Sequence, residues 1–504
     1  MVIRTQINMF TNLVLTVLSL VLLVNLSHET TFSRKRFSRL GAPPLPDGIE
    51  LPKEEWFQQP VDNFNKSDKR TWQQRYFTNK QYFNRNPDTV FLMIGGEGEI
   101  TAKWMVAGSW IEYAKEFKAL CFQLEHRFYG KSHPTPDMGV KNLRYLTSDQ
   151  ALEDLANFIR KMNTVYELSP HVKWVVFGGS YPGSLAAWMR LKHPELVHAA
   201  VSSSGPLLAK ADFMEYYSVV VDSLRTSSDD CVDEIQSGTQ QLGVFMKHMI
   251  GQRKIDTKFS LCDPIEKASK LDIASLFETL ASNFAGVVQY NKDNRIGGPT
   301  KVSNITIDVV CRLMTDNSAG SPLDRLANVN AMLLEANNET CLDYNYNKMI
   351  KEFRNVSWSA TGAEGGRQWM YQTCNEFGFY QTSGGEPDIF SNLFPLEFFT
   401  QQCVDIFGPK FNANYLNDAI DKTNAKYGAL DIEASRIVYV HGSIDPWHIL
   451  GLTETTENNS PAIYIKGTAH CADMYPARED DIPHLKAARV MVAESLGTWL
   501  KEDK

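Results

Sequence analysis

Val175-Val-Phe-Gly-Gly-Ser180-Tyr-Pro-Gly-Ser-Leu-Ala-Ala-Trp-Met-Arg190 carries the strongest fold signal in the sequence. A short apolar run of strand character meets two glycines and a serine, after which apolar residues recur at Leu185, Ala186 and Met189 with helical spacing. A serine at a sharp strand-to-helix turn exposes its hydroxyl, and small neighbours let the two backbones approach. The segment reads as a nucleophile elbow with Ser180 at its tip. Pro182 stands where the G-x-S-x-G pattern has its second glycine. Proline is nevertheless suited to the first turn of a helix, where its missing N–H would have no intrahelical acceptor. A serine that only caps the helix is the plainer reading of the same residues.

On either side of the elbow the pattern is that of a covered parallel sheet. Val90–Ile94, Ala119–Leu124, Trp174–Phe177 and Ala199–Ser202 are short apolar runs of strand type. Between the second and third lies a helical period through Ala151, Leu152, Leu155, Phe158, Ile159 and Met162. From about Pro206 to Gly408 the texture changes to helical periods, long polar connections and six of the eight cysteines. Strand patterns return at Ile437–Val440 and Ala462–Ile465, followed by an amphipathic helix through Leu485, Ala488, Met491, Leu496 and Trp499. Strands alternating with helices predict the α/β class. The expected division is a signal segment over residues 1–27, a sheet domain over 28–205 and 409–504, and a helical cap inserted over 206–408.

A serine hydroxyl is a weak nucleophile and needs a base that is itself oriented by an acid. In α/β-hydrolases the chain order is serine, acid, histidine, with the last two on loops after late strands. Asp445 follows the Ile437–Val440 strand, and His470 follows Ala462–Ile465. His448, three residues from Asp445 on one loop, and His484, at the start of the last helix, compete with His470 less well. The oxyanion of acyl transfer needs two aimed N–H groups. Tyr181, after the nucleophile, supplies one, and the Gly95-Gly96-Glu97-Gly98 loop supplies the other, with Gly96 as candidate. Read as a dinucleotide loop, Gly96-Glu97-Gly98 fails, because Thr101 occupies the place of the third glycine. No metal-binding or P-loop pattern occurs, so neither a metal nor another cofactor is expected.

The 504 residues carry 51 Lys and Arg against 59 Asp and Glu, a net charge of −8. Hydrophobic content of 43% and charged content of 22% are those of a globular protein. The acidic balance gives no broad field for a phosphate backbone, so nucleic acid is not an expected partner. Leu13–Val24 is an apolar run of about 12 residues, within signal-peptide range and short of the about 20 that cross a bilayer. No later stretch reads as a membrane span. Eight cysteines and N-x-S/T sequons at Asn65, Asn304, Asn338, Asn355 and Asn458 fit the secretory route. Spacing alone leaves the disulfide pairing open.

The chain resembles the serine carboxypeptidase family that includes prolyl carboxypeptidase, dipeptidyl peptidase II and thymus-specific serine protease. The resemblance runs through Trp72-Gln-Gln-Arg-Tyr-Phe77, Gly95-Gly-Glu-Gly98, Glu125-His-Arg-Phe-Tyr-Gly-Lys-Ser132, Leu146-Thr-Ser-Asp-Gln-Ala-Leu152, Gly178-Gly-Ser-Tyr181, His441-Gly-Ser-Ile-Asp-Pro-Trp447 and Gly467-Thr-Ala-His-Cys-Ala-Asp-Met474. Ser184-Leu-Ala-Ala-Trp188 looks most like the thymus-specific branch. It implies an α/β-hydrolase fold with a disulfide-bonded helical cap, the triad Ser180, Asp445 and His470, and exopeptidase cleavage at prolyl bonds of short peptides. It also implies the pairs Cys231 with Cys311, Cys262 with Cys341 and Cys374 with Cys403, leaving Cys121 and Cys471 free. Gly96 departs from the Asn, and Lys131 from the Glu, that many members carry. A secreted or lysosomal protein is expected, and a homodimer is left open. Glu97 is a candidate for binding a free amino terminus, with a structural carboxylate as its other reading. A catalytically silent hydrolase fold and an esterase or lipase using the same triad are the competing function classes.

Overall fold

The structure is a computed structural model and describes residues 41–45, 48–84, 89–292, 304–455 and 460–502. The expected signal segment and the Asn458 sequon lie outside these. Eight strands form one sheet: β1 (Glu55–Pro60), β2 (Thr71–Asn79), β3 (Thr89–Ile94), β4 (Leu120–Leu124), β5 (Lys173–Gly179), β6 (Val197–Ser203), β9 (Ile437–Gly442) and β10 (Ala462–Ile465). Their spatial order is β1-β2-β4-β3-β5-β6-β9-β10. Strand β2 runs antiparallel to both its neighbours and every other pairing is parallel. One reversed strand in an otherwise parallel sheet, with a serine elbow at the end of the central β5, is the α/β-hydrolase arrangement.

Period-two alternation sends β3 side chains to two cores. Leu92 joins Phe122, Trp174 and Val176 beneath the helices Ser148–Val165 and Tyr181–Lys192, which expose little of their apolar faces. Phe91 and Met93 join Val175, Phe177, Val438 and Val440 beneath Ser109–Phe117 and Pro483–Trp499. Because both faces are covered, the strands read as unbroken apolar runs.

Between β6 and β9 the chain is mainly helical, with a small parallel pair β7 (Lys210–Asp212) and β8 (Gly378–Tyr380). Disulfides join Cys231 to Cys311, Cys262 to Cys341 and Cys374 to Cys403, while Cys121 and Cys471 are free and buried. These three pairs are the ones the family resemblance implies. Among the described residues, only the helix Lys270–Gln289 is long and apolar enough to cross a membrane, and it is 67% buried inside the protein. It is a core helix of the insertion, opened by a Ser269–Asp272 capping box. Asn65, Asn304, Asn338 and Asn355 are all exposed.

Candidate active site

Ser180 directly follows β5 and stands at the N-cap of the helix Tyr181–Lys192, with φ 65° and ψ −137°. An L-residue held there is strained, and such strain is maintained only where surrounding packing over-determines it. That packing consists of backbone placed against backbone. A Cβ on Gly178 would lie 2.0 Å from the Pro182 carbonyl oxygen, and one on Gly183 would lie 2.8 Å from that of Ser203. The Ser180 N–H donates to the Ser203 carbonyl at 2.9 Å, tying the elbow to the adjacent strand. Its side chain makes no capping hydrogen bond, which separates it from an ordinary N-cap serine.

Asp445 follows β9 and is fully buried. Its Oδ1 accepts the Trp447 N–H at 3.1 Å, and the same oxygen lies 2.9 Å from Nδ1 of His470, itself 1% exposed. Burial disfavours both charges. Their mutual attraction outweighs it, holding Asp445 below the ordinary carboxylate range and His470 well above the ordinary imidazole value. His448 instead places Nδ1 2.7 Å from the Asp445 backbone oxygen, and His484 is exposed.

The loop carrying His470 rests on the elbow. A Cβ on Gly179 would come within 3.0 Å of Cys471 Sγ and 2.1 Å of Met474 Sδ. The Cys471 N–H donates to Ser204 Oγ at 2.9 Å. The structure thus brings Asp445 and His470 into direct contact and sets their loop against the residue preceding Ser180. No hydrogen bond joins Ser180 Oγ to the His470 ring, a contact that commonly tightens only around bound substrate.

Tyr181 opens the elbow helix, where its N–H has no intrahelical acceptor. The loop after β3 reaches the same place, since a Cβ on Gly96 would lie 2.4 Å from Pro182 Cγ. Pro182, the departure from the generic pattern, is therefore the surface on which the candidate oxyanion loop sits. Glu97 is half-buried close to Tyr181, whose hydroxyl is raised by burial first and then by the charges of Glu376 and Glu97.

Several residues that sequence reasoning missed surround the site. The Tyr181 hydroxyl donates to His126 Nε2 at 3.1 Å and accepts from Gln372 Nε2 at 3.1 Å, while Tyr129 donates to Gln372 Oε1 at 2.5 Å. His126 Nδ1 lies 2.7 Å from the Arg127 carbonyl, which assigns the ring proton to that nitrogen. Burial pushes His126 down to about 4, so it stays neutral and can accept. Gln372 belongs to the insertion, as do Trp369 and Phe377, whose rings are 5.6 and 5.4 Å from that of Tyr181. At the other side the Gln289 carbonyl accepts the His470 N–H at 2.9 Å, and the Tyr290 ring stands edge-on to His470 at 5.9 Å. His126 lies in the quoted Glu125–Ser132 run, but nothing local singles out Gln289 or Gln372, which meet the site only through tertiary folding.

Among the described residues no cluster of His, Cys, Asp and Glu could hold a metal ion.

The sequence matches the family described as Serine carboxypeptidase S28 over residues 59–492. Thymus-specific serine protease of Mus musculus is 35% identical over 463 residues, spanning 90% of this chain and 89% of that protein. Lysosomal Pro-X carboxypeptidase of Homo sapiens is 26% identical, spanning 89% of this chain and 88% of its own. A solved proline iminopeptidase of Mycobacterium smegmatis superposes with a TM-score of 0.35 at 12% identity, covering 88% of this chain and 98% of its own; the fold assignment rests on the strand order and the elbow instead. The family match across the sheet and the insertion, together with a relative above one-third identity, leads to one conclusion: the chain is a serine peptidase and belongs to the serine carboxypeptidase S28 family.

Proposed function

We propose that the chain is an exopeptidase that cleaves prolyl bonds near the end of short peptides, with Ser180, His470 and Asp445 as its triad. The observation that carries the reading is the strained, uncapped Ser180 against the loop that bears the buried Asp445–His470 pair. Ser180 Oγ attacks the scissile carbonyl carbon while His470 Nε2 takes the hydroxyl proton. Asp445 keeps the proton on Nδ1 and stabilises the imidazolium. The Tyr181 and Gly96 N–H groups receive the developing oxyanion. His470 then protonates the leaving amine, and water releases the acyl group by the reverse sequence.

Restriction to chain ends is supported by the insertion, because Gln289, Tyr290, Trp369, Gln372 and Phe377 close around His470 and Tyr181. The aromatic rings of Tyr290, Trp369 and Phe377 among them suit a proline ring. A charged partner is needed for the free terminus, and Glu97 beside Tyr181 is our candidate for an amino group. The four exposed sequons and the three disulfides support residence in the secretory route, as a secreted or lysosomal protein.

Turnover of a panel of short prolyl peptides with each terminus free or blocked tests the reading. Blocking the recognised end should cost about 2–5 kcal/mol in kcat/KM, the range for leaving a buried charge unpaired. Equal cleavage of doubly blocked peptides, or of internal bonds in folded proteins, would rule it out.

A further inference from the structure

The insertion has an apolar corner that the active site does not use. The helix Asp229–Phe245 turns at Met246–His248 into the helix Met249–Lys258. The two ends are pressed together, since a Cβ on Gly251 would lie 2.0 Å from the Phe245 carbonyl oxygen. Three aliphatic side chains project from this corner: Val244 at 55% exposure, Met249 at 63% and Ile250 at 77%, the last two being the most exposed large apolar residues described. Leaving them in water has a cost that an apolar environment would remove.

Basic groups flank the corner. Residues 244–258 hold Lys247, Arg253, Lys254 and Lys258 against a single carboxylate, Asp256, which accepts the Ile265 N–H. Lys258 pairs with Asp324, and Lys254 lies 5.9 Å from the Phe245 ring. Lys247 and Arg253 are exposed and form no ion pair with a described residue. In a chain of net charge −8 this is a local reversal of sign. Apolar tips flanked in sequence by lysine and arginine match the layered chemistry of an anionic bilayer, with acyl chains beneath and phosphates around.

We propose that the Val244–Lys258 corner docks on anionic membrane surfaces, with Met249 and Ile250 entering the acyl boundary and Lys247, Arg253 and Lys254 meeting lipid phosphates. Docking here leaves the peptide site free, because none of these residues belongs to it.

Co-sedimentation of the full chain with phosphatidylcholine vesicles, with and without phosphatidylserine, tests the proposal. The wild type should pellet with the phosphatidylserine vesicles, weakly with phosphatidylcholine alone, and less as salt is raised. Lys247→Glu and Arg253→Glu should each lower binding by at least roughly fivefold, the worth of one cation near an anionic surface. Met249→Asp/Ile250→Asp should abolish binding at unchanged thermal stability and peptide turnover. Wild-type protein that stays in solution, or a folded double variant that binds as well as wild type, would overturn the proposal. So would a wild-type dimer that the double variant dissolves, which would assign the corner to a second copy of the chain.

Discussion

The backbone carbonyl of Gln289, the last residue of a helix in the insertion, accepts the N–H of His470 at 2.9 Å. The side chain of the same glutamine accepts the Tyr216 hydroxyl at 2.6 Å and the Trp447 indole N–H at 3.1 Å. One residue of the insertion therefore fixes the loops of both the histidine and the aspartate, making the insertion part of the site's framework as well as its cover.

The Asp445–His470 pair sets a pH dependence. If His470 is the base proposed above, it must be neutral to act, and Asp445 favours its protonated form. In Asp445→Asn the anion is gone and burial, the largest remaining influence, pushes the imidazole downward. The acid limb of the kcat/KM profile should move to lower pH while kcat falls by about 10⁴. Full pH–rate profiles of both proteins check this; an acid limb that does not move would detach it from His470.

Gly96 has no room for a methyl group, with Pro182 Cγ 2.4 Å from where a Cβ would sit. If Gly96 is the oxyanion donor proposed above, Gly96→Ala should displace the loop and lower kcat by about 10²–10³. Adding Pro182→Ala, which removes the opposing ring atoms, should restore much of the rate. Steady-state kinetics on the single and double variants decide whether the contact acts through geometry.

Tyr181→Phe keeps the backbone N–H but removes the hydroxyl shared by His126 and Gln372. If those partners position the N–H, kcat should fall by about tenfold with KM unchanged, a small misplacement at a reacting centre being costly. Leaving Nε2 of buried His126 without its donor should also cost about 1–3 kcal/mol of stability. A loss of stability without a loss of kcat would confine the network to folding.

Buried carboxyls predict greater stability in mild acid. Burial raises Glu376 from 4.5 to about 7 and Asp473 from 3.8 to about 6. A folded-state value above the unfolded one contributes stability that is full below the unfolded pKa and lost as pH rises through the folded pKa. The window is about pH 4 to about pH 7, and Glu376 alone accounts for roughly 3 kcal/mol at about 1.4 kcal/mol per unit. Thermal midpoints should fall across that window, and Glu376→Gln should flatten the fall.

Much of this architecture was legible in the sequence because its strands are buried on both faces and read as apolar runs. Strands β1 and β2 were not, for a physical reason. Strand β2 carries Gln74 and Arg75 into the interior, where Arg75 meets Glu125 at 2.5 Å, so its polar letters hide a buried strand. Ser180, Asp445 and His470 stood out because elbow and loop positions impose local patterns. Gln289, Gln372 and His126 act through contacts 181, 191 and 55 residues away in sequence, and no local spacing encodes these. Pro182 departs from the generic elbow pattern, and the structure gives that departure a partner in Gly96, which packs on its ring.

Covalent labelling reads out whether Ser180 is the nucleophile. The folded protein should react with a fluorophosphonate, and peptide mapping should place the adduct on Ser180 alone. Ser180→Ala, at an unchanged melting temperature, should neither label nor turn over peptides beyond about 10⁻⁴ to 10⁻⁶ of the wild-type kcat. An adduct on another residue, or near-normal turnover by folded Ser180→Ala, would remove Ser180 from the nucleophile's role.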